Sequence, residues 1–230
     1  MHVLDDPDGL SPRARAFLRR VAVREPTPPR LLTDFRTVRD RSGRLVAAPV
    51  ELIVRREGFA DRYGGLRYDL RRSVRVGDER HVVLRRWHFD LLDGIHPERT
   101  GWSFGWYGER VSSPVRYLVH TDGRFGVRAG GPFLEVCPSV PHLIEGHALL
   151  DELADWVPVR PGAPEPWAAT AIGGPELARL VDGLSPVPEA SGPADRWWCS
   201  EERAVRVFRL WTDARPRPIG VMAWSRDGRR

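Results

Sequence analysis

Two histidines bracket an apolar stretch, His142-Leu-Ile-Glu-Gly-His147, and a second set, His88, Asp90, Asp93 and His96, runs through Trp87–Pro97. Residues of these types bind divalent metals or carry acid–base catalysis. Spacing argues against the first set. A zinc-binding helix needs His at i and i+4, so that both imidazoles reach one ion. Here the spacing is i and i+5, about 140° apart around a helix. In the second set His88 and Asp90 share a strand face, while Asp93-Gly94 and His96-Pro97 read as loop. The ordinary reading is a strand end running into a polar turn. The alternative is a hydrolase or metal enzyme built on those four residues.

Nucleophilic chemistry finds little support. Cys137 ends an apolar strand beside Pro138, which reads as a buried structural thiol, not an exposed, electropositive one. No Gly-x-Ser-x-Gly elbow occurs, and a chain without Lys has no phosphate-loop Gly-Lys pair. Gly101–Gly108 is glycine-rich, but its large aromatics leave no room for a phosphate. Trp102, Phe104 and Trp106 alternate, so their rings share one face, as sheet core under a helix or as an aromatic platform for a partner. No catalytic, cofactor-binding or metal-ligating residue is therefore expected.

Charge points to partners. The 230 residues carry a net +5, and all 36 basic residues are Arg, with no Asn or Gln either. The missing types use A/T-rich codons, so the arginines reflect a G/C-rich genome before they reflect a ligand. Residues 36–86 hold 14 Arg against 7 acidic residues; residues 135–202 hold 3 against 12. Such asymmetry steers partners by sign. The pairs Arg19-Arg20, Arg55-Arg56, Arg71-Arg72 and Arg85-Arg86 suit phosphates, but neighbours on a strand face opposite sides and make no stripe. A nucleic-acid-associated regulator using 36–86 is the alternative function.

Two cysteines are too few for a disulfide framework, the N-terminus is acidic, and the longest charge-free run is the ten residues Pro166–Pro175. A cytoplasmic protein away from membranes is expected.

These side chains need elements to position them. Ser11-Pro12 opens a helix with Ala14, Phe17, Leu18 and Val21 at helical spacing. Three prolines in Glu25–Arg30 break it, and Leu31–Val38 is ambiguous. Arg41-Ser42-Gly43-Arg44 reads as a turn. Pro49 starts a second helix to about Tyr63, with Val50, Ile53 and Val54 as its expected buried stripe and Gly64-Gly65 as its stop. Strands are expected at Leu66–Val76 and His81–Leu92, joined through Gly77-Asp78-Glu79, then at Trp102–Tyr107, Val115–Thr121, Gly123–Arg128 and Phe133–Cys137. Ser139 is expected to cap a third helix, about Val140–Trp156. Its wheel puts Val140, Leu143, His147, Leu150, Leu153 and Trp156 on one side and Glu145, Asp151, Glu152 and Asp155 on the other. A linker, Pro158–Pro166, precedes a short helix in Pro175–Leu184, a Pro/Gly/Ser-rich stretch at Ser185–Pro193, and strands at Arg196–Cys199, Ala204–Trp211 and Ile219–Ser225. The pattern predicts an α+β fold. A mostly antiparallel sheet with helices on one face spans 10–156, followed by a Pro-rich linker and small β-rich extension over 157–230.

Two stretches resemble the SUKH superfamily, bacterial immunity proteins related to a yeast cell-wall regulator. Pro49, Phe59, Tyr63, Gly64 and Gly65 follow its Pro-led helix with a Gly-Gly stop. Thr121-Asp122-Gly123-Arg124, Phe133–Cys137 and Ser139–Leu150 follow its Asp-Gly hairpin, strand and Ser-initiated helix. The likeness covers roughly residues 49–156. It implies a non-catalytic α+β domain that binds a toxin and covers its active site or blocks its assembly. Glu145, Asp151, Glu152 and Asp155 are then the expected partner-binding face, an acidic surface for a basic toxin such as a nuclease.

Overall fold

A computed structural model describes residues 1–26, 36–76, 79–109, 115–159, 175–211 and 219–227. The chain runs α1 (Pro12–Val21), β1 (Ala22–Arg24), β2 (Thr37–Arg39), β3 (Leu45–Ala47), α2 (Val50–Tyr63), β4 (Leu66–Val76), β5 (Glu79–Pro97) and β6 (Trp102–Glu109). It continues through β7 (Arg116–His120), β8 (Phe125–Arg128), β9 (Leu134–Cys137) and α3 (Val140–Glu152). The remainder is β10 (Val157–Val159), α4 (Pro175–Leu180), β11 (Ser185–Pro186), β12 (Asp195–Cys199), β13 (Arg203–Arg209) and β14 (Ile219–Ser225). The fold is α+β. Strands β1-β4-β5-β6-β7-β8-β9 form one antiparallel sheet, β10-β14-β13-β12-β11 a second, and β2-β3 a small ribbon. Among the described residues no helix is long and apolar enough to cross a membrane.

Local chemistry sets the helix ends. Ser11 Oγ accepts from the Ala14 amide at 3.2 Å, and Pro12 occupies the first turn. Helix α2 ends at Gly64-Gly65, and Gly65 turns the chain into β4 at φ 79°, which glycine adopts without strain. Ser139 precedes α3, but its hydroxyl bonds His142 Nδ1 at 2.8 Å and makes no cap. The helix runs to Glu152, and Leu153–Asp155 tightens into a 3₁₀ turn.

The buried stripe of α2 differs from expectation. Val50 and Val54 are 72% and 61% exposed, and the buried positions are Leu52, Arg56, Phe59 and Tyr63. Their spacing of four, three and four is helical; the charged Arg56 disguised it. Phe59 sets the helix's rotation by packing on Phe104 and Trp106, each at a centroid distance of 5.7 Å.

Trp106 is the hub of the first sheet. Phe59, Trp87, Phe89, Tyr117 and Phe125 surround it at 4.7–6.1 Å. Phe104 and Trp106 are buried and meet Phe59 of α2, while Trp102 packs partly buried against the same core. Strand β5 is longer than expected and shifts register between His88 and Leu91 and again before Ile95. Extra residues in a strand bend it. Gly77 and Asp78 of the expected hairpin turn lie outside the described residues, as do 27–35 and 160–166 of the Pro-rich breaks. Pro158 belongs to β10, an edge strand, where its missing N–H costs no ladder bond.

The second sheet shares the core of the first. Trp197 and Trp224 stack at 5.8 Å and belong to the buried cluster that holds Trp106 and α3. Trp224 Nε1 donates to Ser73 Oγ on β4 at 3.2 Å. A Cβ on Gly192 would meet the Cys137 backbone at 2.5 Å, so the tail closes tightly on β9. Trp224→Ala should therefore cost about 3–5 kcal/mol, with one unfolding transition in chemical denaturation followed by fluorescence and circular dichroism. Two separable transitions, or a loss under about 1 kcal/mol, would show that the tail folds by itself.

Candidate functional site

The acidic positions of α3 do not form an outer face. Glu145 and Asp151 are buried, at 2% and 1% exposure. Glu145 accepts from the Ser11 amide and hydroxyl, both at 2.6 Å, at the start of α1. Asp151 accepts from Arg20 of α1 and from the Arg71 amide of β4. Glu152 pairs with Arg13 at 3.3 Å, and Asp155 with Arg71; these two carboxylates remain largely exposed. All four are engaged within the fold. The wheel showed a face opposite the apolar one, but α1 and β4 cover it, so its charges serve packing. Glu145 and Asp151 are therefore closed to a partner in this fold, while Glu152 and Asp155 stay accessible.

The histidine candidates are also dispersed. His147 is buried, its Nδ1 2.7 Å from the Tyr68 hydroxyl and its ring 4.2 Å from that of Trp87. Burial, with Arg206 and Arg72 nearby, holds its pKa well below the usual histidine value. His142 is instead tied to Ser139. Asp90 of β5 accepts from the Gly65 amide at 3.1 Å and from Arg67, fastening the junction of α2 and β4 to β5. His96 lies under the influence of Arg128 and Arg116, and burial lowers its pKa. Asp93 is exposed and acts on Arg56. His88 pairs in register with Arg67 and Gly108. Among the described residues no three His, Cys, Asp or Glu are grouped to hold a metal. Burial pushes the Cys137 thiol well above its ordinary range and that of Cys199 up to about 11, so neither is a thiolate at neutral pH.

The basic stretch 36–86 is largely committed internally. Arg62 pairs with Asp6, Arg67 with Glu25 and Asp90, Arg85 with Glu109, and Arg86 with Asp69. Arg80 donates to the Ala154 carbonyl at 3.0 Å, and Arg56 is buried.

Two concave sites stand out among the described residues. One is an open groove of about 710 Å³ between α2, the β7–β8 turn and the start of α3. Val54, Arg55 and Arg62 line it from α2, Asp122 and Gly123 from the turn, and Pro138 and Pro141 from the approach to α3. Arg55 Nε donates to the Thr121 carbonyl at 3.0 Å, fixing the turn against the helix. Gly123 adopts φ 101°, which the tight turn requires. The other site is a narrow cavity of about 80 Å³ between the first sheet, α3 and the tail. Arg72, Trp87, Asp195, Trp197 and Arg206 line it, and of these the sequence singled out only Arg72, as half of the Arg71-Arg72 pair. They come from strands up to 134 residues apart by number, Arg72 on β4 and Arg206 on β13, so no local motif marks them. No family model, curated protein or solved structure matches the chain.

Two predictions follow from the burial of these groups. Asp151→Ala strands a backbone amide and Arg20, and should cost about 2 kcal/mol. Asp155→Ala should cost under about 1 kcal/mol, since its carboxylate is exposed. Denaturant titration compares them, and equal costs would contradict the buried role of Asp151. The second concerns pH. An unfolded histidine protonates below its ordinary 6.5, whereas buried His147 stays neutral. The unfolded state thus binds more protons as pH falls, and stability drops by up to about 1.4 kcal/mol per pH unit below that point. Burial of His2, His96 and His142 acts in the same direction. In melts between about pH 7.5 and 5, His147→Gln should flatten the dependence. An unchanged slope would contradict it.

Proposed function

We propose that the chain is a non-catalytic protein-binding module, a cytoplasmic immunity protein of the SUKH type that neutralises a cognate toxin. The observation that carries this reading is the meeting of the two stretches that resemble the family. Pro49–Gly65 and Asp122–Leu150 are distant in sequence, yet together they line the open groove. Helix, sheet, Asp-Gly turn, strand and Ser-preceded helix follow in the order the resemblance implies.

The groove suits a polypeptide. Val54 offers an exposed apolar contact, while Glu51, Arg55, Arg62 and Asp122 provide charges of both signs around it. An apolar contact within a polar surround is the usual anatomy of a protein interface. Pro138 and Pro141 stiffen one wall, which limits the entropy lost on binding. Nucleic-acid binding through 36–86 draws less support, because so many of those arginines already pair with carboxylates inside the fold.

The test is co-expression with the toxin encoded beside its gene. Neutralisation should restore growth, and the purified pair should form a stable complex. Val54→Arg should weaken binding at least about ten-fold while changing stability by less than about 0.5 kcal/mol. Failure to bind or protect overturns the class. Binding that ignores Val54→Arg overturns the groove alone.

A further inference from the structure

The narrow cavity between the sheets collects hydrogen-bond donors that find no partner among the described residues. Trp87 and Trp197 are 4% and 1% exposed, and their indole N–H groups find no acceptor among the described residues. Nor does the buried Nε of Arg72. All three residues line the same 80 Å³ space. His147 adds a fourth donor. The buried Tyr68 hydroxyl has its hydrogen bond with His147 Nδ1, and a phenol proton needs an acceptor. Where the phenol donates, Nδ1 accepts and the neutral ring carries its proton on Nε2.

The two carboxylates lining the cavity are already engaged. Asp195 is held by Arg206, whose Nε donates to both carboxylate oxygens at 2.9 and 3.2 Å. Glu109 is paired with Arg85 at 3.3 Å and hydrogen-bonded to Tyr117. The two acidic groups are thus neutralised, and the charge of Arg72 is left in excess. Burial and the neighbouring Arg206 both work against that charge, with Glu109 opposing them only in part. Unpaired buried donors, and a half-buried cation beside a second arginine, each cost free energy. Water meets such a lining poorly, because each molecule brings two protons that need acceptors of their own. A group that only accepts hydrogen bonds and carries negative charge meets both needs.

We propose that this cavity is a binding site for a compact oxyanion, a carboxylate or a phosphate-like group, held by Arg72, Trp87, Trp197 and His147. Its volume has room for on the order of four or five non-hydrogen atoms. Half-buried His142 and Trp211 also line it, so it communicates with the surface. Its α3 residues, Leu143, Gly146, His147 and Leu150, share one helix face, and the site spans both sheets. Occupation would tie β4 and β5 to β12 through one ligand. The inference does not depend on the immunity-protein reading.

The test is a titration of the full chain with acetate, sulfate and inorganic phosphate, against chloride at matched ionic strength, read from the tryptophan indole N–H resonances. Two resonances should move saturably, and Trp87→Phe and Trp197→Phe should each remove one of them. Arg72→Met should weaken binding at least about ten-fold; if it does not fold, Trp197→Phe decides the matter. Acetate against the tetrahedral ions separates a carboxylate from a phosphate-like ligand. Resonances that stay fixed, that respond equally to chloride, or that saturate unchanged in all three variants would overturn the proposal, leaving water or an adventitious ion only.

Discussion

Helix α3 is enclosed by protein on nearly its whole circumference, and everything else is arranged around that requirement. A helix of this kind ordinarily carries apolar residues all round. This one carries Glu145, His147 and Asp151 into the interior. Buried carboxylates are tolerated only when paired and hydrogen-bonded. The N-terminus of α1 supplies two donors to Glu145, and the far end of α1 supplies Arg20 to Asp151. Helix α1 is thereby fastened to α3 at both ends by charge, with Ala14, Phe17 and Leu18 packed between. His147 solves the same problem differently: it stays neutral and bonds Tyr68.

This arrangement decides which surfaces remain for partners. The acid-rich face of α3 is spent on α1 and β4, and much of the basic stretch on nearby carboxylates. What stays open is the outer side of α2, where Val50 and Val54 face solvent, and the groove beside it. The tail is equally committed. Trp197 and Trp224 complete the enclosure of α3, so these tail residues belong to the same buried cluster as the first sheet. That closure also creates the donor-lined cavity, which neither sheet could form alone.

Much of this fold was legible from pattern. Helix starts at Pro12 and Val140, the Gly64-Gly65 stop and most strands followed from capping, periodicity and turn chemistry, because these are local effects. The errors share one physical origin. A helical wheel reports which residues differ in polarity, not which side the rest of the chain will cover. Glu145 and Asp151 looked like solvent-facing charges because their partners, Ser11 and Arg20, lie about 130 residues away. Val50 and Val54 looked like core because Arg56 sat in the stripe that is in fact buried. Trp87 and Trp197 carried no motif, and Arg72 only a paired-arginine pattern, since the cavity exists only after two sheets meet.

Amide hydrogen exchange along α3 tests the central claim most directly. If the helix is enclosed by α1, the first sheet and the tail, amides of residues 144–152 should exchange only through global unfolding. Their protection should match that of β6 and should exceed that of α2, and β13 should share the same opening free energy. Fast exchange in α3, or a tail that opens at much lower free energy while β6 stays closed, would contradict it. The acidic residues would then have to be returned to the surface.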